Sequence, residues 1–147
     1  MIRYNVPHIF FLTLLIYALT FNSVYADWQP AKEGNKIILI RHSIAPGSGD
    51  PPNFNINDCR TQRNLSEEGV KQSKKIGKLF NKNQIKIDQV LSSQWCRCKD
   101  TAKYAFRNYK EFPALNSTFQ PPYDENAKKQ IKELKNYIQK WNGNGSN

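Results

Sequence analysis

The chain has 147 residues and sets 22 lysines and arginines against 12 acids, a formal charge of +10 at pH 7. That length supports one domain with one modest core, which excludes a multidomain assembly. The positive balance favours anionic ligands such as phosphate esters. The lysines are scattered along predicted helices and form no nucleic-acid motif, so no nucleic-acid partner is expected.

Residues 1–26 read as an export signal. One cation, Arg3, precedes an almost wholly apolar run from Ile9 to Phe21, and Val24-Tyr25-Ala26 closes the segment with small residues where a signal peptidase reads. The apolar run of about 13 residues is short of the roughly 20 that span a bilayer. The expectation is cleavage near Ala26, a periplasmic or secreted product, and a single domain over 27–147 with no stable membrane span.

That domain opens on Lys36-Ile37-Ile38-Leu39-Ile40. The run does not alternate, which predicts a strand buried on both faces, as in a parallel sheet covered by helices. Ala45 to Asn64 is rich in Pro, Gly, Asn and Asp and reads as a long loop, with Cys59 as a possible pin. Ser66 is a good N-cap, Glu67 and Glu68 suit a first helical turn, and Val70, Ile76, Leu79 and Phe80 supply an apolar face. A short strand is predicted around Gln89-Val90-Leu91. Ser92-Ser93 is predicted to cap a helix from Gln94 to Phe106, and Phe112 to Leu115 an extended piece. Ala127, Ile131, Leu134, Ile138 and Trp141 mark an amphipathic helix beginning near Asp124. The order β-α-β-α-(β)-α argues for an α/β layered fold with a mostly parallel sheet.

An exported chain with three cysteines can form one disulfide. Cys96 and Cys98 stand two apart on a predicted helix and point to different faces, so Cys59 pairs with one of them. Cys59–Cys96 is favoured, because Cys98 suits a small buried position. The order C…C-x-C offers no usual zinc spacing, and no metal is expected.

Two polar clusters follow the two predicted strands, where ligands of parallel sheets collect. Arg41-His42 ends the first; Ser92-Ser93 with Arg97 ends the second and opens a helix. Arginine forks match phosphate oxygens, and helix N-termini offer free N–H groups. Cationic neighbours keep a histidine neutral, and a neutral imidazole is a competent nucleophile. From the residues alone, His42 reads as a nucleophile or as a loop histidine bonded to the backbone. Arg41 and Arg97 read as phosphate ligands or surface ion-pair partners.

A resemblance separates these readings. Ile37-Ile38-Leu39-Ile40-Arg41-His42 resembles the strand and R-H signature of the histidine phosphatase (phosphoglycerate-mutase-like) superfamily. Asn64-Leu65-Ser66-Glu67-Glu68-Gly69-Val70-Lys71-Gln72 is similar to its L-[ST]-x-x-G-x-x-Q segment. Leu91-Ser92-Ser93-Gln94-Trp95-Cys96-Arg97-Cys98-Lys99-Asp100-Thr101-Ala102 resembles its S-S-x-x-x-R-[AC]-x-x-T-A segment. The long loop and Ser-Gln-Trp-Cys-Arg-Cys are similar to an exported bacterial branch. The resemblance implies a three-layer α/β/α fold and a phosphohistidine on His42. It implies Arg41 and Arg97, with Ser93, on the phosphoryl group, and no cofactor. The implied activity is phosphomonoester hydrolysis on a small phosphorylated substrate, with a phosphorylated envelope sugar suggested by the compartment. Asn64, Ser66 and Gln72 read as structural.

Three departures qualify this. Ser43 stands where most members have glycine. The family's general acid has no clear match, with Asp50, Asp58 and Asp124 the carboxyls at hand. The only histidines are His8, in the signal segment, and His42, so the second site histidine is missing. The expectation is a member incomplete at its C-terminus, lacking the last core strand or strands, either impaired in turnover or reduced to a non-catalytic phosphate-binding remnant.

Overall fold

The computed structural model describes residues 27–147; the signal-like segment lies outside them. The elements are short helix α1 (Gln29–Lys32), helix α2 (Glu67–Lys82), strand β1 (Leu91–Ser92), helix α3 (Cys96–Phe106), strand β2 (Lys110–Glu111) and helix α4 (Ala127–Lys140). Single 3-10 turns stand at Cys59–Thr61, Pro113–Leu115 and Tyr123–Asn126. The fold is α/β, with β1 and β2 paired in parallel, Leu91 opposite Lys110 and Ser92 opposite Glu111. No helix among the described residues is long and apolar enough to cross a membrane.

Ser66 caps α2 as its sequence predicts, its Oγ accepting from the Gly69 N–H at 3.1 Å. The buried stripe of α2 keeps Phe80 of the predicted apolar face but not its other members. Gly69, Ser73, Gly77 and Phe80 are buried, and Val70, Ile76 and Leu79 are only half-buried. The reason is close backbone approach: a Cβ at Gly77 would sit 2.1 Å from the Ala105 carbonyl oxygen of α3, and one at Gly69 2.1 Å from that of Ile44. Phe80 joins the two helices through its ring, with Trp28 and Phe106 edge-on at 5.5 and 5.1 Å. A second cluster stacks Phe54 of the long loop on Trp95 at 5.2 Å, with Tyr123 edge-on to both.

Several boundaries move. The helix predicted from Gln94 starts at Cys96, and neither Ser92 nor Ser93 caps it; Ser92 Oγ donates to the Ser93 carbonyl instead. The extended piece predicted over Phe112–Leu115 is a strand at Lys110–Glu111 followed by a 3-10 turn. The last helix begins after a 3-10 turn rather than at Asp124.

The largest correction concerns Lys36–Ile40. The run joins no strand ladder, and Ile37, Ile38, Leu39 and Ile40 are all exposed, Leu39 at 82 %. A β-branched run supplies a strand's side chains but not its hydrogen-bonding neighbours: the Lys36 N–H donates to Asn147 Oδ1 at 3.1 Å, and among the described residues the backbone of 37–40 has no partner. The apolar face of α4 is likewise incompletely covered, with Ile131 and Ile138 exposed.

Cys59 and Cys96 form a disulfide that ties the long loop to the first residue of α3. The cysteines lie 37 apart in sequence. Reduction is therefore expected to cost about 2–4 kcal/mol through the entropy regained by the unfolded chain. Urea midpoints with and without reductant measure this; coincident midpoints would refute it.

Candidate active site

His42 follows a stretch, 37–41, whose backbone has no hydrogen-bond partner among the described residues, and the next residue anchors it. Ser43 is buried, and its N–H donates to Thr101 Oγ1 at 3.0 Å. Thr101 Oγ1 in turn donates to the Arg97 carbonyl, one turn earlier in α3, at 2.7 Å. Ser43 Oγ lies 2.7 Å from Ser73 Oγ on α2. The hydroxyl that replaces a glycine hydrogen at position 43 thus has a buried partner, and the residue after His42 is held between two helices.

The His42 ring is half-buried, with Nδ1 2.8 Å from the Ser43 carbonyl. A carbonyl only accepts, so Nδ1 carries the proton and Nε2 keeps its lone pair. Burial pushes the ring's pKa below the ordinary histidine value. The Ser43 carbonyl works against that shift, while the positive charges of Arg97, Arg63 and Arg41 reinforce it. A neutral imidazole with one free nitrogen, in the field of three guanidinium groups, is the result.

The arginines are held differently. Arg41 is exposed. Arg97, in the first turn of α3, is buried; its Nη1 donates to Asp50 Oδ1 at 2.7 Å and to the Arg63 carbonyl at 3.3 Å. Its Nε is also buried and has no partner among the described residues. Arg63 Nε donates to the Gly49 carbonyl at 2.8 Å, and its Nη1 to that of Ala45. Burial, then the charge of Arg97, lowers the Arg63 pKa.

Asp50 is the counter-ion of this cluster. Its Oδ2 accepts from Trp95 Nε1 at 2.8 Å, and its Oδ1 from the Arg63 N–H at 3.0 Å as well as from Arg97. Burial alone would raise its pKa, but those hydrogen bonds outweigh it and hold the carboxyl below the ordinary range. Asp50 is therefore an ionised acceptor, unsuited to donating a proton at neutral pH. Asp58 is unsuited too: it pairs with Arg60 at 2.7 Å and caps a 3-10 turn, which brings its pKa down to about 2. Asp124 lies in the 3-10 turn before α4.

Ser93 is buried, lines the cavity beside His42 and touches Cys98. The helix end is less open than the sequence suggests, because the Cys96 N–H already donates to Gln62 Oε1 at 2.9 Å. Gln72 accepts from the Ile44 N–H, and Asn64 donates to the Cys59 carbonyl; both brace the loop ends. Among the described residues, no group of three or more His, Cys, Asp or Glu could hold a metal ion.

Sequence reasoning misses Arg63 and the counter-ion role of Asp50. Arg63 immediately precedes the Asn64-Leu65-Ser66 motif, which was a signal of position but not of orientation. Asp50 and Arg97 are 47 residues apart, and no local pattern joins them.

A family model described as histidine phosphatase superfamily (branch 1) matches residues 37–145. No curated protein and no solved structure matches the chain. The match spans the R-H segment, the α2 motif and the arginine-bearing turn of α3 together, so the chain belongs to the histidine phosphatase superfamily.

Proposed function

We propose that this protein is an exported, metal-independent phosphomonoester hydrolase that works through a phosphohistidine on His42. The observation that carries the reading is the His42 ring itself, its Nδ1 proton given to the Ser43 carbonyl and its Nε2 free beside three cations. Nε2 would attack phosphorus as the ester P–O bond breaks, and the alcohol would leave with a proton from solvent. Water would then attack phosphorus, breaking the P–N bond and releasing inorganic phosphate. Arg97 and Arg41 would stabilise charge on the phosphoryl oxygens, the kind of term that dominates such sites, and Ser93 would line the pocket.

Turnover is impaired in this reading. Residues 27–147 hold no second histidine, and neither Asp50 nor Asp58 is poised as general acid, a role that typically contributes about 10²–10⁴-fold. Small phosphorylated molecules are the substrate class, with an envelope phospho-sugar suggested by the signal-like segment. An aryl phosphate, whose leaving group needs no proton, is the right probe. Mature protein mixed with p-nitrophenyl phosphate and quenched in alkali is expected to carry acid-labile phosphate on His42. Labelling requires the neutral ring, and the His42 pKa is lowered. The rate should therefore persist as pH falls through about 6.5, the free histidine value, and fall away only below it. A rate already halved at or above that pH contradicts the electrostatics; no phosphoenzyme at any pH contradicts the hydrolase.

A second reading, phospho-ligand binding without turnover, is favoured by one observation. Among the described residues the buried Arg97 Nε has no acceptor, and a buried donor left unpaired costs about 1–3 kcal/mol. Calorimetric phosphate binding by protein that never forms the phosphoenzyme would select it.

A further inference from the structure

The outer face of α2 carries a charge that phosphate chemistry at His42 leaves unused. Glu67 and Glu68 stand in the first turn, where acids suit a helix N-terminus. From Gly69 to Ile87 the sequence then holds six lysines and no acid. Five of them, Lys71, Lys74, Lys75, Lys78 and Lys82, lie on α2, and all five are exposed. A helical step of about 100° per residue brings them into one arc of about 100°, a stripe roughly 16 Å long. The lysines of this helix are therefore gathered, not scattered. The opposite face holds Gly69, Ser73, Gly77 and Phe80, all buried in the fold.

A solvated helix face ordinarily interleaves acids with its lysines, because opposite charges three or four residues apart attract. On α2 only Lys71 has acids that near, Glu67 and Glu68. Lys78 instead meets Lys74, Lys75 and Lys82 at those spacings, and like charges there repel. Among the described residues none of the five lysines makes an ion pair, and residues 1–26 contain no acid to supply one. Lys74 rests over the Tyr104 ring at 5.6 Å, a contact that holds the side chain but leaves its charge. The end of the chain shows the ordinary arrangement: Glu125 and Glu133 each stand four residues from Lys129.

We propose that this stripe docks the protein on an anionic lipid bilayer, by charge alone. A cluster of basic side chains along one helix is drawn to the negative potential of such a surface. Interfacial helices ordinarily add apolar insertion, but the other side of α2 is packed inside the fold. The contact is thus peripheral, and salt reverses it. Lysines without arginine or a free aromatic ring suit headgroup phosphates better than nucleobases, which are gripped by stacking or by paired hydrogen bonds. The choice of a bilayer over nucleic acid rests also on the export reading; the stripe itself does not. Docking is independent of whether His42 turns over.

The probes are vesicles of phosphatidylcholine, and vesicles in which phosphatidylglycerol replaces part of it. Mature protein is expected to sediment with the anionic vesicles only. Salt at about 1 M, where the Debye length is about 3 Å, should release it. Replacing Lys74, Lys75, Lys78 and Lys82 together by Gln, which keeps helix propensity, should weaken binding by about 100-fold or more, at about fivefold per lysine. Lys78→Gln alone should weaken it by about fivefold, a test that does not require the quadruple variant to fold. Lys128, Lys129, Lys132 and Lys135 of α4 are also exposed. Replacing those four by Gln removes the same net charge and should change binding by less than about threefold, since the stripe and not the total charge makes the contact. Equal binding to neutral vesicles, binding that survives about 1 M salt, or equal losses in the two quadruple variants would each overturn the proposal. So would unchanged binding in Lys78→Gln, or tighter binding to duplex DNA than to the anionic vesicles.

Discussion

Replacing His42 with alanine is expected to remove the phosphoenzyme signal entirely and to lower aryl-phosphate turnover by a factor on the order of 10⁴ or more, the scale on which enzymes lose a covalent nucleophile. The fold should survive. His42 is half-buried, and among the described residues its one side-chain hydrogen bond is to the neighbouring Ser43 carbonyl. The anchoring of this stretch belongs to Ser43, through Thr101 and Ser73. Phosphate affinity should also survive, because the guanidinium groups of Arg41, Arg63 and Arg97 remain and a partly buried imidazole is no longer present to compete for space. Quench-flow labelling beside phosphate calorimetry separates the two quantities. A His42→Ala protein that still accumulates phosphate on a histidine-like linkage would remove the nucleophile from its assigned place.

The second large effect is on stability. Asp50→Ala is expected to cost about 3–5 kcal/mol, the range for removing one partner of a buried ion pair. The Asp50 and Arg97 side chains are only 3 % and 8 % exposed, so solvent screens the pair little. Alanine leaves the Arg97 charge buried with the Arg63 carbonyl as its remaining partner, and strands Trp95 Nε1 and the Arg63 N–H. The pH dependence has a definite sign. Because the folded-state pKa of Asp50 is depressed, its contribution is fully present above the unfolded value near 3.9 and disappears as pH falls through the lower folded value. Wild type should therefore lose stability across that acid window, and Asp50→Ala should lose correspondingly less there. Millimolar phosphate should recover part of the loss at neutral pH, by supplying the negative charge Arg97 has lost. Urea melts at several pH values test all three statements; a loss under about 1 kcal/mol at pH 7 would show that the pair is not a structural anchor.

Both predictions depend on the same few side chains, and they were unequally visible in the sequence. His42, Arg41 and Arg97 stand in motifs whose spacing is local, within a strand end or a helical turn. Ser66 announces its helix because an N-cap acts on an N–H three residues on. Arg63 carries no such mark: it projects its charge toward His42 while its donors close the loop on Gly49 and Ala45. The apolar face predicted for α2 differs from its buried face for a related reason. Apolar periodicity finds side chains that can be buried, whereas Gly69, Ser73 and Gly77 are buried because two backbones meet with nothing between them.

The sequence by itself determined the local chemistry: a β-branched run ending in Arg41-His42, a capped helix from Ser66, an arginine in the first turn after Ser92-Ser93, and an amphipathic final helix. Those depend on neighbours within a turn or two, and short-range sterics and hydrogen bonding specify them. Only the tertiary structure decided that Asp50 neutralises Arg97 from 47 residues away, and that Cys59 meets Cys96. It also decided that Lys36–Ile40 lies open along a cavity instead of inside a sheet. Each of these requires two distant segments to be brought into contact, and a strand's propensity cannot provide the second edge to which it must bond.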